Sequence, residues 1–519
     1  MPSQPWAKDF SVTDEDLDYL SGILLEKEIP LKTDDLALAL VERRLEQEAT
    51  ALARQFADVR VYRPADSFAP DMLVMFPRLE FAMGRVESIR RGNNAALGEF
   101  DVMRVVFDDE QSRDFAFNLP SHKLNDSDDA AAPLPGTEVR TAAEIMAEEG
   151  AAVVHELEAN LRAADELVSV TGRWFPRSLM LDANIGHLNL AEAVLDINGG
   201  GPMTVQELLN EIGGLGNAPA SLQQFSLNYA LSLDNRFDEV GPVDTVLWYL
   251  KRQEPPEVQT PPAILRVSPL SYDRDLLNAD MMALEAEIDD EWSEVDSPAE
   301  NPDSATLILN YPHRRAGTLP LNARLQRIFP TARRTPRIFV TLVDGQDGEE
   351  YPCWVVREHR YVFGLSTLFR KHKLPVGAII HVRRSPDGGK LVVGFNAHKP
   401  RTEYVPLVTA RDNRIIFAYD RRSIGAEYDD LMVLGVDDLT AVDAVVAEVQ
   451  RSRRSLQQIV RDLVTELSRT SPQGTVHAKT VYSAANLFRR LPPGPVFAAL
   501  VDSAELENVG SNYWRLRTI

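Results

Sequence analysis

Apolar residues recur at three- and four-residue intervals in the first fifty or so positions, and at two-residue intervals in the next stretch. Leu17, Leu20, Ile23 and Leu24 follow Thr13-Asp-Glu-Asp16, a hydroxyl N-cap with acids in the first turn, where the helix dipole favours them. Pro30 ends that helix, and Thr33-Asp-Asp35 starts a longer one reaching about Gln55. From Val59 the period is two. Leu73–Phe76, Gly84–Arg90, Phe100–Phe107 and Arg113–Phe117 read as strands, joined through the turn residues Arg91-Gly-Asn-Asn94 and Asp108-Asp-Glu110. Short strands so close together predict a small, twisted barrel over 58–125, behind an N-terminal helical, winged-helix-like unit over 1–57.

A polar, proline-containing linker, Asn125–Gly136, precedes another amphipathic helix from Glu144 to about Leu167. A second stretch, 254–304, gathers Glu285, Glu287, Asp289, Asp290, Glu291, Glu294 and Asp296, and its composition predicts a solvated acidic linker. Strand character returns at Ala305–Leu309, Arg337–Leu342, Trp354–Val356, Ala378–Val382 and Leu391–Phe395, and continues to about Val436. One short helix, Ser366–Lys373, interrupts it, and Asp344–Gly348 and Ser385–Gly389 are expected hairpin turns. These features predict a β-barrel domain over 305–435. Helices near 438–450 and 454–468 then lead into a compact C-terminal unit, 436–519.

Two segments repeat one plan. In 188–252 the apolar helix Leu188–Ile197 ends at Gly199-Gly-Gly-Pro202, and Thr204-Val-Gln-Glu207 forms a capping box. A third helix, Ser221–Leu233, precedes Phe237-Asp-Glu-Val-Gly241 and Trp248-Tyr-Leu250. Near the C-terminus, helix 454–468 leads through Ser471-Pro-Gln-Gly474 to a helix carrying Thr480, Tyr482, Asn486 and Arg489. Another helix starts at Pro493, ahead of Leu506-Glu-Asn-Val-Gly510 and Tyr513-Trp-Arg-Leu516. The shared signature is apolar–acid–x–Val–Gly followed by Trp–x–Leu. It predicts three helices closed by a two-stranded wing whose tryptophan returns to the core.

Both copies resemble the winged-helix domain called HARE-HTH, found in the delta subunit of bacterial RNA polymerase and attached to some restriction enzymes and eukaryotic chromatin proteins. The resemblance rests on Thr204, Glu207, Leu208, Leu209, Leu231, Asp234, Arg236, Phe237, Val240, Gly241 and Trp248, then on Ala499, Leu500, Leu506, Val509, Gly510 and Trp514. It covers roughly 110 of the 519 residues. It implies a winged-helix fold that binds DNA or transcription machinery without catalysis. Gly364–Gly377 followed by Ile379–Val382 resembles the DNA-binding pseudobarrel of plant auxin-response factors and of some restriction-enzyme effector domains. The 58–125 barrel is similar to the small interaction barrels of CarD or Tudor type. The expected architecture is therefore an α+β multidomain protein of repeated winged-helix modules, the central one over 140–253, plus small β-barrels.

The charge is partitioned along the chain. The net charge is −23, yet Tyr311–Val405 holds 17 Lys/Arg against 7 Asp/Glu, a local +10 that leaves −33 for the rest. Phosphate binding rests on Lys and Arg, so Arg314, Arg315, Arg333, Arg334, Arg337, Arg370, Lys371, Lys373, Arg383 and Arg384 are the candidate phosphate contacts. Residues 203–252 carry 3 basic and 6 acidic side chains, and 470–519 carry 5 and 3. The C-terminal copy is therefore the better candidate DNA reader, through His477, Lys479, Arg489, Arg490, Arg515 and Arg517. The central copy and the N-terminal helices, with 5 basic and 11 acidic residues over 11–57, are expected to contact protein.

The sequence nominates no catalytic residue, cofactor or metal site. It has no Walker loop, Gly-x-Ser-x-Gly or His-Glu-x-x-His, and its nine histidines are scattered. A single cysteine, Cys353, excludes intramolecular disulfides and multi-thiolate metal sites. No apolar run nears the ~20 residues of a membrane span, and Met1–Phe10 lacks a signal-peptide pattern. A cytoplasmic, non-catalytic bacterial protein is expected, with double-stranded DNA as one partner and RNA polymerase or another protein as the other. A protein-interaction scaffold, and the specificity subunit of a restriction or defence system, stay open as alternatives.

Overall fold

The computed structural model describes residues 10–55, 59–79, 81–94, 98–107, 111–125, 140–243, 245–294, 303–332, 334–385, 390–412 and 414–517. The expected turns at 108–110 and 386–389, residues 126–136 of the first linker, Asp296 and Arg333 lie outside them. The chain has an α+β multidomain architecture with six separate sheets among the described residues. It divides into two compact units: 1–182 with 217–229, and 183–216 with 230–519.

The first unit opens with α1 (Asp14–Lys27), the short strand β1 (Leu31–Lys32) and α2 (Thr33–Gln55). Thr13 caps the helix as expected and also closes a capping box with Asp16, whose carboxylate pairs with Arg44 as well. A five-stranded antiparallel-dominated sheet follows: β2 (Val59–Val61), β3 (Leu73–Phe76), β4 (Ala82–Arg91), β5 (Asp101–Phe107) and β6 (Ser112–Phe117), in sequential order. Then come α3 (Ala142–Ala163) and the hairpin β7 (Leu167–Val170) and β8 (Arg173–Pro176).

The expected central module over 140–253 is divided differently in space. Ile145, Val153, Leu157 and Leu161 of α3 share one core with Leu20, Leu24, Leu36, Leu40 and Val41 of α1 and α2. Each helix is amphipathic, and burying its stripe requires the others. The small barrel is therefore inserted between the second and third helices of one unit. Leu222 and Phe225, from the returning segment 217–229, pack on the outer side of the β7–β8 hairpin against Val168, Val170 and Phe175.

The hairpin reveals a third copy of the repeated plan. In the first unit Leu31 of β1 lies opposite Trp174 of β8. The second unit places Met203 opposite Trp248, and Val476 opposite Trp514. In each copy a residue just before a helix pairs with a wing tryptophan, and all three indoles are buried. The first and last wings turn through two residues with positive φ, Thr171-Gly172 and Ser511-Asn512, the geometry whose twist matches antiparallel strands.

The second unit begins with α4 (Ile185–Ile197), α5 (Val205–Ile212) and the end of α6 (Ala220–Leu233), followed by the wing β9 (Phe237–Glu239) and β10 (Trp248–Leu250). After α7 (Ala279–Ile288) comes a seven-stranded sheet. It comprises β11 (Ser304–Ile308), β12 (Thr318–Pro320), β13 (Arg337–Asp344), β14 (Glu350–Val356), β15 (Tyr361–Phe363), β16 (Ile379–Arg384) and β17 (Leu391–Gly394). The strand order is 11-16-17-13-14-15-12. Three short helices, α8 (Tyr311–Ala316), α9 (Ala323–Ile328) and α10 (Ser366–Lys371), complete this half-barrel. The central wing rests on its outside, where Tyr249 meets Trp354 edge-on at 5.0 Å.

A long ribbon, β18 (Ala397–Arg411) and β19 (Arg414–Ala426), leaves the half-barrel, and β20 (Gly435–Val436) pairs along β18. The chain ends with α11 (Leu439–Arg451), α12 (Leu456–Thr470), β21 (Val476–His477), α13 (Ala478–Ala485), α14 (Pro493–Asp502) and the wing β22 (Leu506–Gly510) and β23 (Tyr513–Leu516). Val408, Ile415 and Phe417 of the ribbon enter the core of this C-terminal module, whereas Ala426 enters the half-barrel core. The ribbon thus connects two cores.

The acidic stretch 285–294 overturns the expectation of solvated chain. Glu285, Asp289, Asp290 and Glu291 are all buried. Arg490 reaches Asp290 at 2.5 Å and Glu291 at 2.7 Å, and Tyr482 donates its hydroxyl to Asp290 at 2.5 Å. His313 Nε2 lies 2.9 Å from Glu291, with Nδ1 2.8 Å from the Thr318 hydroxyl. Arg274 reaches Glu285 at 3.1 Å, and the Asn322 amide donates to the Asp289 carbonyl at 3.0 Å. Burial raises the pKa of Asp290. Glu291 meets the same penalty, but Arg490 and His313 outweigh it and take Glu291 down to about 2. A buried charge persists only where opposite charge and hydrogen bonds surround it, and the partners here come from segments far away in sequence.

Candidate nucleic-acid interface

The cations singled out in the sequence divide by burial. Arg490 and Lys479 are buried, which corrects their assignment as DNA contacts. Arg490 belongs to the Asp290–Glu291 network and also donates to Asn486 and the Leu491 carbonyl. Lys479 lies between Glu287 at 2.6 Å and Asp429 at 2.5 Å. Both sit on or just after α13, whose side chains are nearly all buried, so that face has no groove to meet. Arg489 and Arg314 are half-buried with pKa values lowered by burial, and Arg314 donates to the Leu374 carbonyl at 2.6 Å. His477 is also shifted down by burial, then by Lys479 beside it.

Others face carboxylates. Arg337 lies 2.5 Å from Asp238 and 3.2 Å from Glu254. Arg315 grips Asp443 with both terminal nitrogens, and Arg515 pairs with Glu507 at 2.7 Å. Lys371 is 2.6 Å from Glu349 and also pairs with Asp347. Arg334, Arg370, Lys373, Arg383, Arg384 and Arg517 are exposed. Arg383 and Arg384 are consecutive on β16 and therefore point to opposite sides of the strand. The basic pairs of the half-barrel do not make one uninterrupted positive face.

Among the described residues one cluster has metal-ligand spacing: Asp344, Asp347 and His372, whose ligand atoms lie within 4.8 Å of one another. The Lys371 ammonium sits among the same carboxylates, 3.6 Å from Asp344, and His372 Nε2 is 2.5 Å from that group. The positive charge that the cluster calls for is thus supplied by the chain itself.

An exposed face that combines cations with aromatic rings lies elsewhere, on the ribbon and the C-terminal wing. Residues 397–426 carry six Lys/Arg and three Asp/Glu. In the β18–β19 register Tyr404 is opposite Arg421, and Pro406 is opposite Tyr419, which places Tyr404, Arg421 and Tyr419 on one side. Tyr404 is 60% exposed and Tyr419 53%. The Arg421 guanidinium lies 5.4 Å from the Tyr404 ring centre, and its Nε donates to the Tyr404 hydroxyl at 2.7 Å. Tyr419 has a raised pKa, first from partial burial and then from the nearby Tyr513 hydroxyl on β23. Tyr513 is itself 37% exposed and meets His477 edge-on at 5.0 Å. Arg515, two residues further along β23, shares its side.

Exposed tyrosines beside guanidinium groups can stack on bases and pair with phosphate oxygens. No carboxylate among the described residues lies within ion-pairing distance of Lys399 and Arg401 near the ribbon's base, or of Arg411 and Arg414 at its tip. Tyr404 lies just inside the basic segment 311–405 and Tyr419, Arg421 and Tyr513 lie beyond it, and none of the four is a candidate from sequence. The available signal was tyrosine and arginine recurring on one parity of two paired strands. No protein-family model matches the chain, and no curated protein or solved structure matches it.

Proposed function

We propose that this chain is a non-catalytic, cytoplasmic DNA-associated protein whose second unit holds exposed bases and phosphates on the ribbon and the C-terminal wing. The observation that carries the reading is the exposed Tyr404–Arg421–Tyr419 side of the ribbon, with Tyr513 beside it. Three partly exposed rings beside a guanidinium group offer a stacking platform, and a two-stranded ribbon is slim enough to follow a groove or a single strand. Tyrosine faces stack best on bases that are already unpaired, so single strands and distorted duplexes should bind ahead of intact duplex. The acidic first unit and central wing would contact protein, with transcription machinery as the expectation set by the winged-helix resemblance. Their charge repels phosphate and keeps DNA on the ribbon.

The test is fluorescence anisotropy of the whole chain with a labelled 20-nucleotide single strand and the matching duplex, at several salt concentrations. Binding that weakens steeply with salt and favours the single strand supports the reading. Silence on both at low salt and micromolar protein overturns it in favour of a protein-interaction scaffold.

A further inference from the structure

The first helix of the second unit, α4, is apolar on two faces. Leu188, Ala191 and Leu195 are buried on one of them. On the other, Gly186, Leu190, Ala193 and Ile197 are all exposed, Leu190 by 51% and Ile197 by 85%. Their spacing of four, three and four residues sets them in one line along the helix, the geometry of a coiled-coil seam. A helix that is apolar all round is ordinarily covered all round. We infer that this seam is a dimerisation surface, and that its occupant is the same seam of a second copy of the chain.

The order of side-chain sizes selects that occupant. Small and large residues alternate along the seam: Gly186, Leu190, Ala193, Ile197. A two-fold axis crossing it midway between Leu190 and Ala193 runs the two helices antiparallel. Leu190 then faces the partner's Ala193, and Ile197 faces the partner's Gly186. Every large side chain meets a small one, the pattern that lets facing layers interdigitate. A parallel pair would set Ile197 against the partner's Ile197 and Gly186 against the partner's Gly186, crowding one end and emptying the other. A Cβ built on Gly186 would meet only the Asn184 side chain within 4 Å, at 3.0 Å, so the space over it is open.

Charge points the same way. Besides His187, the ionisable side chains of α4 are Glu192 and Asp196, and α4 has no Lys or Arg. Both acids are answered within the chain. Glu192 holds Arg236 at 2.5 Å and also pairs with Arg252, which reaches Asp196 at 2.8 Å. The seam thus offers no unanswered charge to draw a strongly basic helix, and two copies meet there without like-charge repulsion. Asn189 Oδ1 accepts from Arg236 at 2.9 Å, so its amide nitrogen is left to donate, and the partner's Asp196 lies on the same flank of the pair. Four layers bury less than the ~1,200 Å² of a standard interface, so a dissociation constant of about 10 µM is expected.

The test is sedimentation velocity of the whole chain from about 1 to about 200 µM, where monomer should give way to dimer. Ile197→Gln should weaken association about tenfold or more, because a symmetric dimer loses that side chain twice. Ala193→Leu should weaken it as well, since the added bulk fills the space that the partner's Leu190 needs. A merely sticky surface would be strengthened by the same change. Both positions are exposed, so each variant should keep the parent's melting transition. Cysteine pairing reads the register. Copies with Gly186→Cys mixed with copies with Ile197→Cys should cross-link on mild oxidation. Neither alone should do so, because the two copies of either position stand about 16 Å apart along the pair. Cys353 is buried and takes no part. A chain that stays monomeric at about 200 µM overturns the inference and leaves the seam to a helix of another protein. A dimer indifferent to Ile197→Gln, or one that cross-links no better mixed than single, overturns it too. None of these outcomes depends on nucleic-acid binding by the ribbon.

Discussion

Two arginine-rich regions of the second unit meet different surroundings. The half-barrel supplied most of the positive excess in the sequence, yet several cations there and in the C-terminal module face carboxylates brought from other segments. Asp238 and Glu254 answer Arg337, Asp443 answers Arg315, and Asp290 with Glu291 answers Arg490. The ribbon has a smaller excess, but its Arg421 faces a tyrosine ring and solvent. The lesson concerns what a local charge count means. It measures which residues are near one another in sequence, whereas a partner meets what remains after folding has paired them. Here the chain's charge partition is undone in part: Arg315, Arg337 and Lys371 are answered, whereas Arg334, Arg370, Lys373 and Arg383 stay exposed.

That contrast can be broken by substitutions that act on only one side of it. Arg490→Met should produce the largest effect, because it leaves Asp290 and Glu291 buried without their cation. A loss of ~3–5 kcal/mol in urea unfolding is expected, with DNA affinity unchanged in whatever fraction stays folded. Tyr404→Ala should do the reverse. It should cost ~1–3 kcal/mol of single-strand affinity by anisotropy and less than ~0.5 kcal/mol of stability, since the ring is mostly exposed.

A pH titration sharpens the comparison further. Burial, and then the neighbouring Asp238 carboxyl, push Glu254 up to about 8, against the pull of Arg337. Its folded pKa lies above its unfolded value, so the native state holds the extra proton. The stability this group contributes is therefore complete below about pH 4.5 and is lost as pH rises through 8. Glu254→Gln should flatten that decline in unfolding free energy, which is on the order of a few kcal/mol across the window. The smallest effect belongs to Arg515→Ala, whose exposed pair with Glu507 should contribute only ~0–1 kcal/mol. Its single-strand affinity should nevertheless fall, with a shallower salt dependence.

Elements with strong local signals were legible. The N-cap at Thr13, the capping box at Thr204, the helix over 33–55, the strands at 73–76 and 113–117, and the wings ending in Trp248 and Trp514 all stand within a few residues of where their patterns place them. The first-unit wing was less legible because its helices are separated by the barrel insertion, and no apolar–acid–x–Val–Gly run precedes Trp174. The candidate interface was half legible. The C-terminal wing was nominated through Arg515 and His477, but Tyr404 and Arg421 gain meaning only from a register 17 residues apart.

The amino-acid order by itself determined the period of each segment, the caps that start its helices, and the paired glycine and tryptophan signals of two wings, because these depend on neighbours within a few residues. Which helices share a core, and which charges face water, were decided only by tertiary structure. In sequence Glu291 reads as solvated acid, Arg490 as a DNA contact and His313 as one of nine scattered histidines; they become one buried network because the fold removes water from all three at once. The reason is physical: a charge's energy depends on the dielectric and the counter-charge around it, and for this chain both are set by segments up to two hundred residues away.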